Sequence, residues 1–134
     1  MSTAVFMTDH LNAYDPDTSS SAIEWLALDE SERIEIVAAY HRHKQIRLPD
    51  AQLHAVIHVV VENQIALGEE VVVNTLARLQ TEGLNRHEAL HAIGSVLVDD
   101  LYELMRESAA GPNQAYGRYL DRLGALTSGN WRAG

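Results

Sequence analysis

Cysteine is absent from the 134-residue sequence, and basic residues are scarce. The lack of cysteine excludes disulfides, thiolate metal ligands and cysteine nucleophiles, and it fits a protein of the cytoplasm. The chain has 10 lysines and arginines against 19 aspartates and glutamates, which gives a formal net charge of −9. Nucleic-acid binding needs a basic face that displaces counterions from phosphates, so this charge argues against that class of partner.

Long apolar runs are missing as well. No stretch approaches the roughly 20 consecutive apolar residues that a membrane-spanning helix needs. The first residues, MSTAVFMTDH, contain neither the basic region nor the apolar region of a secretion signal. We therefore expect a cytoplasmic protein without membrane contacts, whose 46% hydrophobic and 22% charged residues suit one compact domain.

Helix start and stop signals organise the chain. Residues 1–20 end in the polar run DPDTSSS, which predicts a mobile or loosely packed arm. We expect residues 21–126 to form a single helical-bundle domain and residues 127–134 to form a flexible tail. Helix caps and breaks are predicted at Asp29 with Glu32, Pro49, Asp50, Gly68, Gly83, Asn85, and Gly111 with Pro112.

These signals predict an all-α fold. Val59–Val61 and Val71–Val73 favour strand by intrinsic propensity, but each triplet lies in a capped segment of helical length. Packing should therefore override propensity at both places. Short connections favour antiparallel neighbours, so we expect an antiparallel bundle of four main helices plus a short C-terminal helix. The surplus valines suggest a homodimer face.

Histidine spacing is the most informative feature of the sequence. His54 and His58 form one pair four residues apart, and His87 and His91 form another. On a helix, this spacing places both imidazoles of a pair on one face, one turn apart. Gly94, beside the second pair, would let a neighbouring helix approach closely because it has no side chain.

Both pairs continue at the same step to a carboxylate. Glu62 follows His58, and Asp99 follows His91 after two steps. Each stripe lies on the flank of an apolar face, where a helix meets its neighbour. Neutral imidazole together with carboxylate suits a divalent transition metal such as zinc or iron. The predicted metal site comprises His54, His58, Glu62, His87, His91 and Asp99.

The second stripe contains His87-Glu88-x-x-His91, which matches the zinc-peptidase signature. In such enzymes the glutamate is the general base beside an open zinc position. Here Asn85 and Glu88 form a capping pair, which gives Glu88 a structural role at the helix start. A chain of this size also offers little room for a peptide cleft. We favour the capping role, and the catalytic residues stay unassigned.

The stretches LHAVIHVVVENQ and HEALHAIGSVLVDDLYEL resemble an uncharacterised bacterial family of small helical proteins, a domain of unknown function. That family carries His-x3-His-x3-Glu-x-Gln on one helix and His-x3-His with a distal acidic residue on another. The resemblance covers roughly residues 49–105 and implies the same histidine grouping without implying an activity. The matching positions are His54, His58, Glu62, Gln64, His87, His91 and Asp99, with Asp99 standing where the family has glutamate.

Two hypotheses follow. In the first, the protein is a helical bundle with a His/carboxylate metal site between two helices. His41, in the basic run HRHK, is expected to complement its helix C-terminus, or to turn inward and join the cluster. In the second, the protein is a metal-free interaction or dimerisation module whose histidines form hydrogen bonds between helices.

Overall fold

The computed structural model of the chain describes residues 14–18, 21–44, 50–106 and 112–133. All regular secondary structure within these ranges is helical, which confirms the all-α bundle. The seven helices are α1 (Ala22–Ala27), α2 (Glu30–His43), α3 (Ala51–Ala66), α4 (Glu70–Thr81), α5 (Arg86–Arg106), α6 (Pro112–Ala125) and α7 (Ser128–Ala133). None of these helices has both the length and the apolar character needed to cross a membrane.

The helix boundaries follow the local signals of the sequence. Asp29 and Glu32 form a reciprocal capping box at the start of α2, and the Asp50 carboxylate accepts the Leu53 N–H at the start of α3. Gly68 and Gly83 have φ angles of 75° and 105°, which side chains disfavour, and they end α3 and α4. The break at Gly111 lies outside the described residues, and α6 begins at Pro112, where a missing N–H costs nothing.

Helix α3 is the centre of the bundle. It contacts α1, α2, α4 and α5, while α5 also contacts α4 and α6. The valine triplets are helical, as predicted, and they face apolar partners: Val59, Val61 and Val72 are fully buried. The remaining valines of both triplets are half-buried. Three of the six valines thus pack fully within the chain, and the homodimer face stays a prediction.

Two hydrophobic cores lie on either side of α3. The first core lies among the N-terminal residues, α1, α2 and α3, and contains Tyr14, Trp25, Ile36, Val37, Ala55 and Val59. The second core lies among α3, α4, α5 and α6, and includes Val61, Val72, Leu79, Leu90, Ile93, Tyr119 and Leu123. The stripe of His54, His58 and Glu62 runs along α3 between the faces that serve these two cores.

The structure describes residues 14–18 of the expected arm and residues 127–133 of the expected tail. In the expected arm, Tyr14 and Pro16 are buried, and the Pro16 carbonyl accepts a hydrogen bond from Arg86. Arg86 needs this partner because it is buried at the start of α5. The expected flexible tail forms α7, and Trp131 packs against the second core. Burial of that indole provides the contact that orders the segment.

Candidate metal centre

The two histidine stripes meet beside a close contact between α3 and α5. A Cβ atom added at Gly94 would lie 3.1 Å from Ile57 Cγ2, a distance tighter than ordinary van der Waals contact. Glycine at this position therefore lets α5 approach α3, as the sequence predicted. The approach brings His54 and His58 of α3 beside the α5 pair, and the His54 and His91 ring centroids are 4.7 Å apart.

Four imidazoles form a compact group between α2, α3 and α5. Each offers one nitrogen, and these nitrogens all lie within 4.8 Å of one another. The group consists of His41, His54, His58 and His91. A group of this composition and spacing could hold a metal ion. The contribution from α2 is His41, which turns inward and is 4% exposed, the inward option that the sequence had left open.

Each of the four imidazoles has a buried nitrogen without a hydrogen-bond partner among the described residues. These atoms are Nε2 of His41, His54 and His91, and Nδ1 of His58. Buried polar atoms in folded proteins are nearly always paired, and each unpaired one costs about 1–3 kcal/mol. Four such atoms on one compact group of imidazoles are available to a ligand.

The protonation of His41 can be assigned from its neighbour. Its Nδ1 lies 2.8 Å from the Val37 carbonyl oxygen, one turn earlier on α2. A carbonyl oxygen only accepts hydrogen bonds, so Nδ1 carries the proton. In the neutral ring, Nε2 then has the free lone pair that a metal ligand requires.

A series of buried hydrogen bonds determines which nitrogen of His58 carries the proton. Arg86 forms two hydrogen bonds to the Glu62 carboxylate, at 2.9 and 2.8 Å. The Tyr14 hydroxyl donates its only proton to Glu62 over 2.8 Å, and it lies 2.7 Å from His58 Nε2. Since that proton is committed, Tyr14 accepts from His58 Nε2–H, which leaves the Nδ1 lone pair free.

The electrostatic environment lowers the pKa of His54, His58 and His91. Burial, with repulsion from neighbouring histidines, lowers the pKa of His54 to about 4 and the pKa of His91 to about 3. The same causes hold the pKa of His58 well below its usual range. Burial, followed by the Glu62 charge, raises the pKa of Tyr14 well above 10, so its hydroxyl stays a donor. The imidazoles of His54, His58 and His91 therefore present lone pairs at neutral pH.

His87 lies at the edge of the four-histidine group. Its ring centroid is 4.3 Å from that of His91 and 5.4 Å from that of His41. Its Nε2 is also buried without a partner, although His87 is not one of the four whose nitrogens lie within 4.8 Å of one another. Burial, followed by repulsion from His41, lowers its pKa, while the carboxylate of Asp17 opposes that shift.

The two carboxylates that were predicted as metal ligands lie in different places in the structure. Glu62 is 4% exposed and lies beside the cluster, but its oxygens are engaged by Arg86 and Tyr14. It therefore acts on His58 through Tyr14 and does not face the histidine nitrogens directly. Asp99 is exposed and lines an open surface pocket with Arg106 and Arg122, apart from the cluster. It lies two helical turns beyond His91, where α5 has already passed the site.

The Glu88 carboxylate has the structural role that its position predicted. Its Oε1 accepts the Asn85 N–H at 3.0 Å, and the Asn85 side chain accepts the Glu88 N–H at 2.8 Å. This reciprocal capping box holds Glu88 at the helix start. His87 is fixed alongside, because its N–H donates to the Asp17 carboxylate at 3.1 Å.

Sequence reasoning missed Tyr14 and Arg86. No spacing rule links Tyr14 to His58, which is 44 positions later, and Tyr14 was assigned to the arm. Arg86 stands beside the second stripe but does not share its four-residue spacing. One signal was available: Glu62 is a carboxylate on a flank expected to be buried, and a buried carboxylate requires a cation.

A pocket opens against one side of the cluster. It has a volume of about 350 Å³ and reaches His54, His58 and His91. Its walls are mainly apolar, formed by Leu53, Ile57, Leu90, Gly94 and Val98, with Asp50 and Ser95 completing the lining. His41 does not line this pocket, so three of the four imidazoles can be approached from it.

Comparison of the chain with family models, curated proteins and solved structures found no match. The resemblance to a bacterial domain of unknown function therefore stays a prediction. Conclusions about function rest on the geometry of the chain itself.

Proposed function

We propose that this protein binds one divalent transition-metal ion, zinc or iron, through His41, His54, His58 and His91. The observation that carries the proposal is the convergence of four imidazoles, each of which offers one nitrogen within 4.8 Å of the others. Each of these rings also has a buried nitrogen without a hydrogen-bond partner among the described residues. Imidazole is the commonest protein ligand for such ions. Metal–nitrogen bonds of about 2.0–2.1 Å would draw the four nitrogens closer together than the 4.8 Å seen here, so modest side-chain rotation would complete the site.

The hydrogen bonds around the cluster support a metal role. A metal-binding histidine usually donates its second N–H to a carbonyl or carboxylate, which fixes the ring and its tautomer. His41 does so directly through Val37, and His58 does so through Tyr14 to Glu62. Glu62 therefore supports a ligand in this proposal, and Asp99 has no role in the site.

Metal analysis and thermal unfolding test the proposal together. Protein prepared without a nickel column should contain close to one equivalent of a single transition metal. Chelator treatment should lower Tm, because an ion that binds only the folded chain stabilises it by mass action. Restoring the native ion should reverse the shift, whereas metal-free protein with an unchanged Tm would overturn the proposal.

A matched pair of variants controls for loss of histidine as such. His41 and His43 lie on the same helix, but His41 is buried in the cluster and His43 is exposed. His41→Ala should reduce metal content and make Tm insensitive to chelator. His43→Ala should retain both properties. Equal metal content in both variants would show that His41 is not a ligand.

The alternative function is a metal-free interaction or dimerisation module. One observation favours it: Tyr102 and Met105 on α5 are 64% and 80% exposed, near exposed Leu101. Exposed apolar side chains of this kind can form an interface. In that case Tm would not respond to chelator, and sedimentation equilibrium would detect self-association that Met105→Lys weakens.

A further inference from the structure

The pocket beside the cluster combines aliphatic side chains with histidines of the cluster. Its sides are aliphatic, from Leu53, Ile57, Leu90 and Val98. Its lining also includes His58, which is 3% exposed and is one of the proposed metal ligands. A volume of about 350 Å³ lies within the range of small-molecule sites, roughly 300–1,000 Å³. Such a pocket suits a ligand with a short aliphatic body and one polar end.

The charge of the proposed metal site determines which polar group of a ligand the pocket would bind. In the proposed metal site, every ligand is a neutral imidazole, so a divalent ion would bring two uncompensated positive charges. The buried carboxylate nearby, Glu62, is already neutralised by Arg86. Asp50 lines the pocket, but it is exposed and its carboxylate caps α3. The buried end of the pocket therefore favours an anion.

We propose that the pocket binds a short-chain aliphatic carboxylate, with its carboxylate toward His54, His58 and His91 and its chain against Leu53, Ile57 and Val98. This inference rests on the proposed metal-binding function and adds a ligand class to it. The protein's net charge of −9 disfavours anions at its surface in general. Carboxylate affinity must therefore come from the site itself.

Cobalt substitution provides separate readouts for the metal and for the carboxylate. Co²⁺ added to chelator-treated protein should give a visible absorption spectrum of imidazole-bound cobalt, which tests the metal site alone. Hexanoate should then change that spectrum and bind at least about tenfold more tightly than acetate, because buried methylenes add affinity. Hexylamine and hexanol, which match the chain but not the charge, should leave the spectrum unchanged.

Two tryptophan variants on one helix test the location. Leu53 lines the pocket and is 50% exposed, whereas Leu67 ends the same helix away from it and is 71% exposed. Leu53→Trp should keep the cobalt spectrum but weaken hexanoate at least about tenfold, and Leu67→Trp should bind as the parent does. Val98→Phe fills the pocket from α5 and should also keep the cobalt spectrum while weakening hexanoate binding. It replaces Leu53→Trp as the test if Leu53→Trp folds poorly.

The possible results separate the two proposals. Absence of a cobalt spectrum would overturn the metal site and the carboxylate site together. A normal cobalt spectrum that hexanoate does not change would overturn the carboxylate site alone. The same conclusion would follow if acetate and hexanoate bound equally, or if the pocket-filling variants bound hexanoate as the parent does.

Discussion

The two sides of α3 satisfy the requirements of a folded chain in different ways. On the side of α4 and α6, Val61, Val72, Leu79 and Leu123 are fully buried in an apolar core. On the side of α2 and the first turns of α5, the same helix places imidazoles with unpartnered buried nitrogens. The first arrangement favours stability, whereas the second costs stability unless a ligand is bound. The comparison indicates that α3 contributes to apolar cores with one set of side chains and to the proposed metal site with another.

The ion pairs in the two regions also differ in their exposure to solvent. The Arg122 guanidinium pairs with Asp100 and Glu103 between α5 and α6 while remaining 38% exposed. The Arg86–Glu62 pair is 4% exposed at both side chains and continues through Tyr14 to His58. A buried pair of this kind contributes little net stability, so its value lies in what it positions.

The largest expected effect comes from breaking that buried pair. Arg86→Met leaves the Glu62 carboxylate buried without a cation, which should lower the free energy of unfolding by about 3–5 kcal/mol. Arg42→Met is the control, because the Arg42–Glu35 pair is 63% and 54% exposed and should contribute about 0–1 kcal/mol. Urea denaturation measures both. Adding Glu62→Gln to Arg86→Met should recover part of the loss, and failure to recover would argue against an uncompensated charge as its cause.

A cavity in the apolar core should cost nearly as much, but independently of metal. Leu79 is fully buried, and Leu79→Ala should lower the free energy of unfolding by about 2–5 kcal/mol. Leu67→Ala, at a side chain 71% exposed, should stay within about 0.5 kcal/mol. The loss at Leu79 should be the same with metal present and with metal removed. A difference between the two conditions would mean that the two sides of α3 are energetically coupled.

Removing one hydroxyl should weaken metal binding with little effect on packing. Tyr14→Phe keeps the ring but deprives His58 Nε2 of its acceptor and Glu62 of a donor. Loss of such a supporting hydrogen bond should lower metal affinity by about 10–100-fold. Tyr116→Phe removes an exposed hydroxyl that donates to Glu69, and it should leave affinity unchanged. Competition with a calibrated chelator measures both, and equal affinities would contradict the proposed Tyr14 relay.

Acid should destabilise the histidine side specifically. The pKa values of His54 and His91 are lowered in the folded chain to about 4 and about 3, below the roughly 6.5 of an unfolded histidine. The unfolded state therefore binds more protons as pH falls below about 6.5, so chelator-treated protein should lose stability from there toward pH 4. Thermal unfolding across this range measures the slope. His91→Gln should flatten the slope of stability against pH. An unchanged slope would show that protonation of His91 does not contribute to the loss of stability in acid.

The sequence was sufficient to predict the helices and the two histidine stripes, but not the contributions of His41 and Tyr14 to the site. Capping residues and glycines act locally, so they located the starts of α2, α3 and α5 and the ends of α3 and α4. The spacing of His54 with His58, and of His87 with His91, fixed the two stripes for the same reason. Their convergence depended on one long-range feature, the close approach at Gly94, which the missing side chain had indicated.

The contributions of His41 and Tyr14 depend on tertiary packing. His41 lies in a basic run at a helix C-terminus, where solvation and inward burial are both physically reasonable. Only the packing of α2 on α3 selects burial. Tyr14 lies in a polar segment whose order comes from Arg86 and the N-terminal end of α5. Contacts across more than 40 positions leave no periodic trace in the sequence.

The smallest expected effect belongs to Asp99, and it tests how far helical spacing can be extended. The four-residue step placed Asp99 on the same stripe as His87 and His91, yet it is exposed and lies near Arg122 in a separate pocket. Asp99→Ala should keep the metal stoichiometry of the parent and change the free energy of unfolding by less than about 0.5 kcal/mol. Glu62→Gln, at the matching position of the first stripe, should lower both stability and metal affinity, because it leaves Arg86 without its counter-charge and weakens the acceptor of Tyr14. Metal analysis that found loss in Asp99→Ala would place the carboxylate within reach of the histidines and would contradict the separation of these two residues.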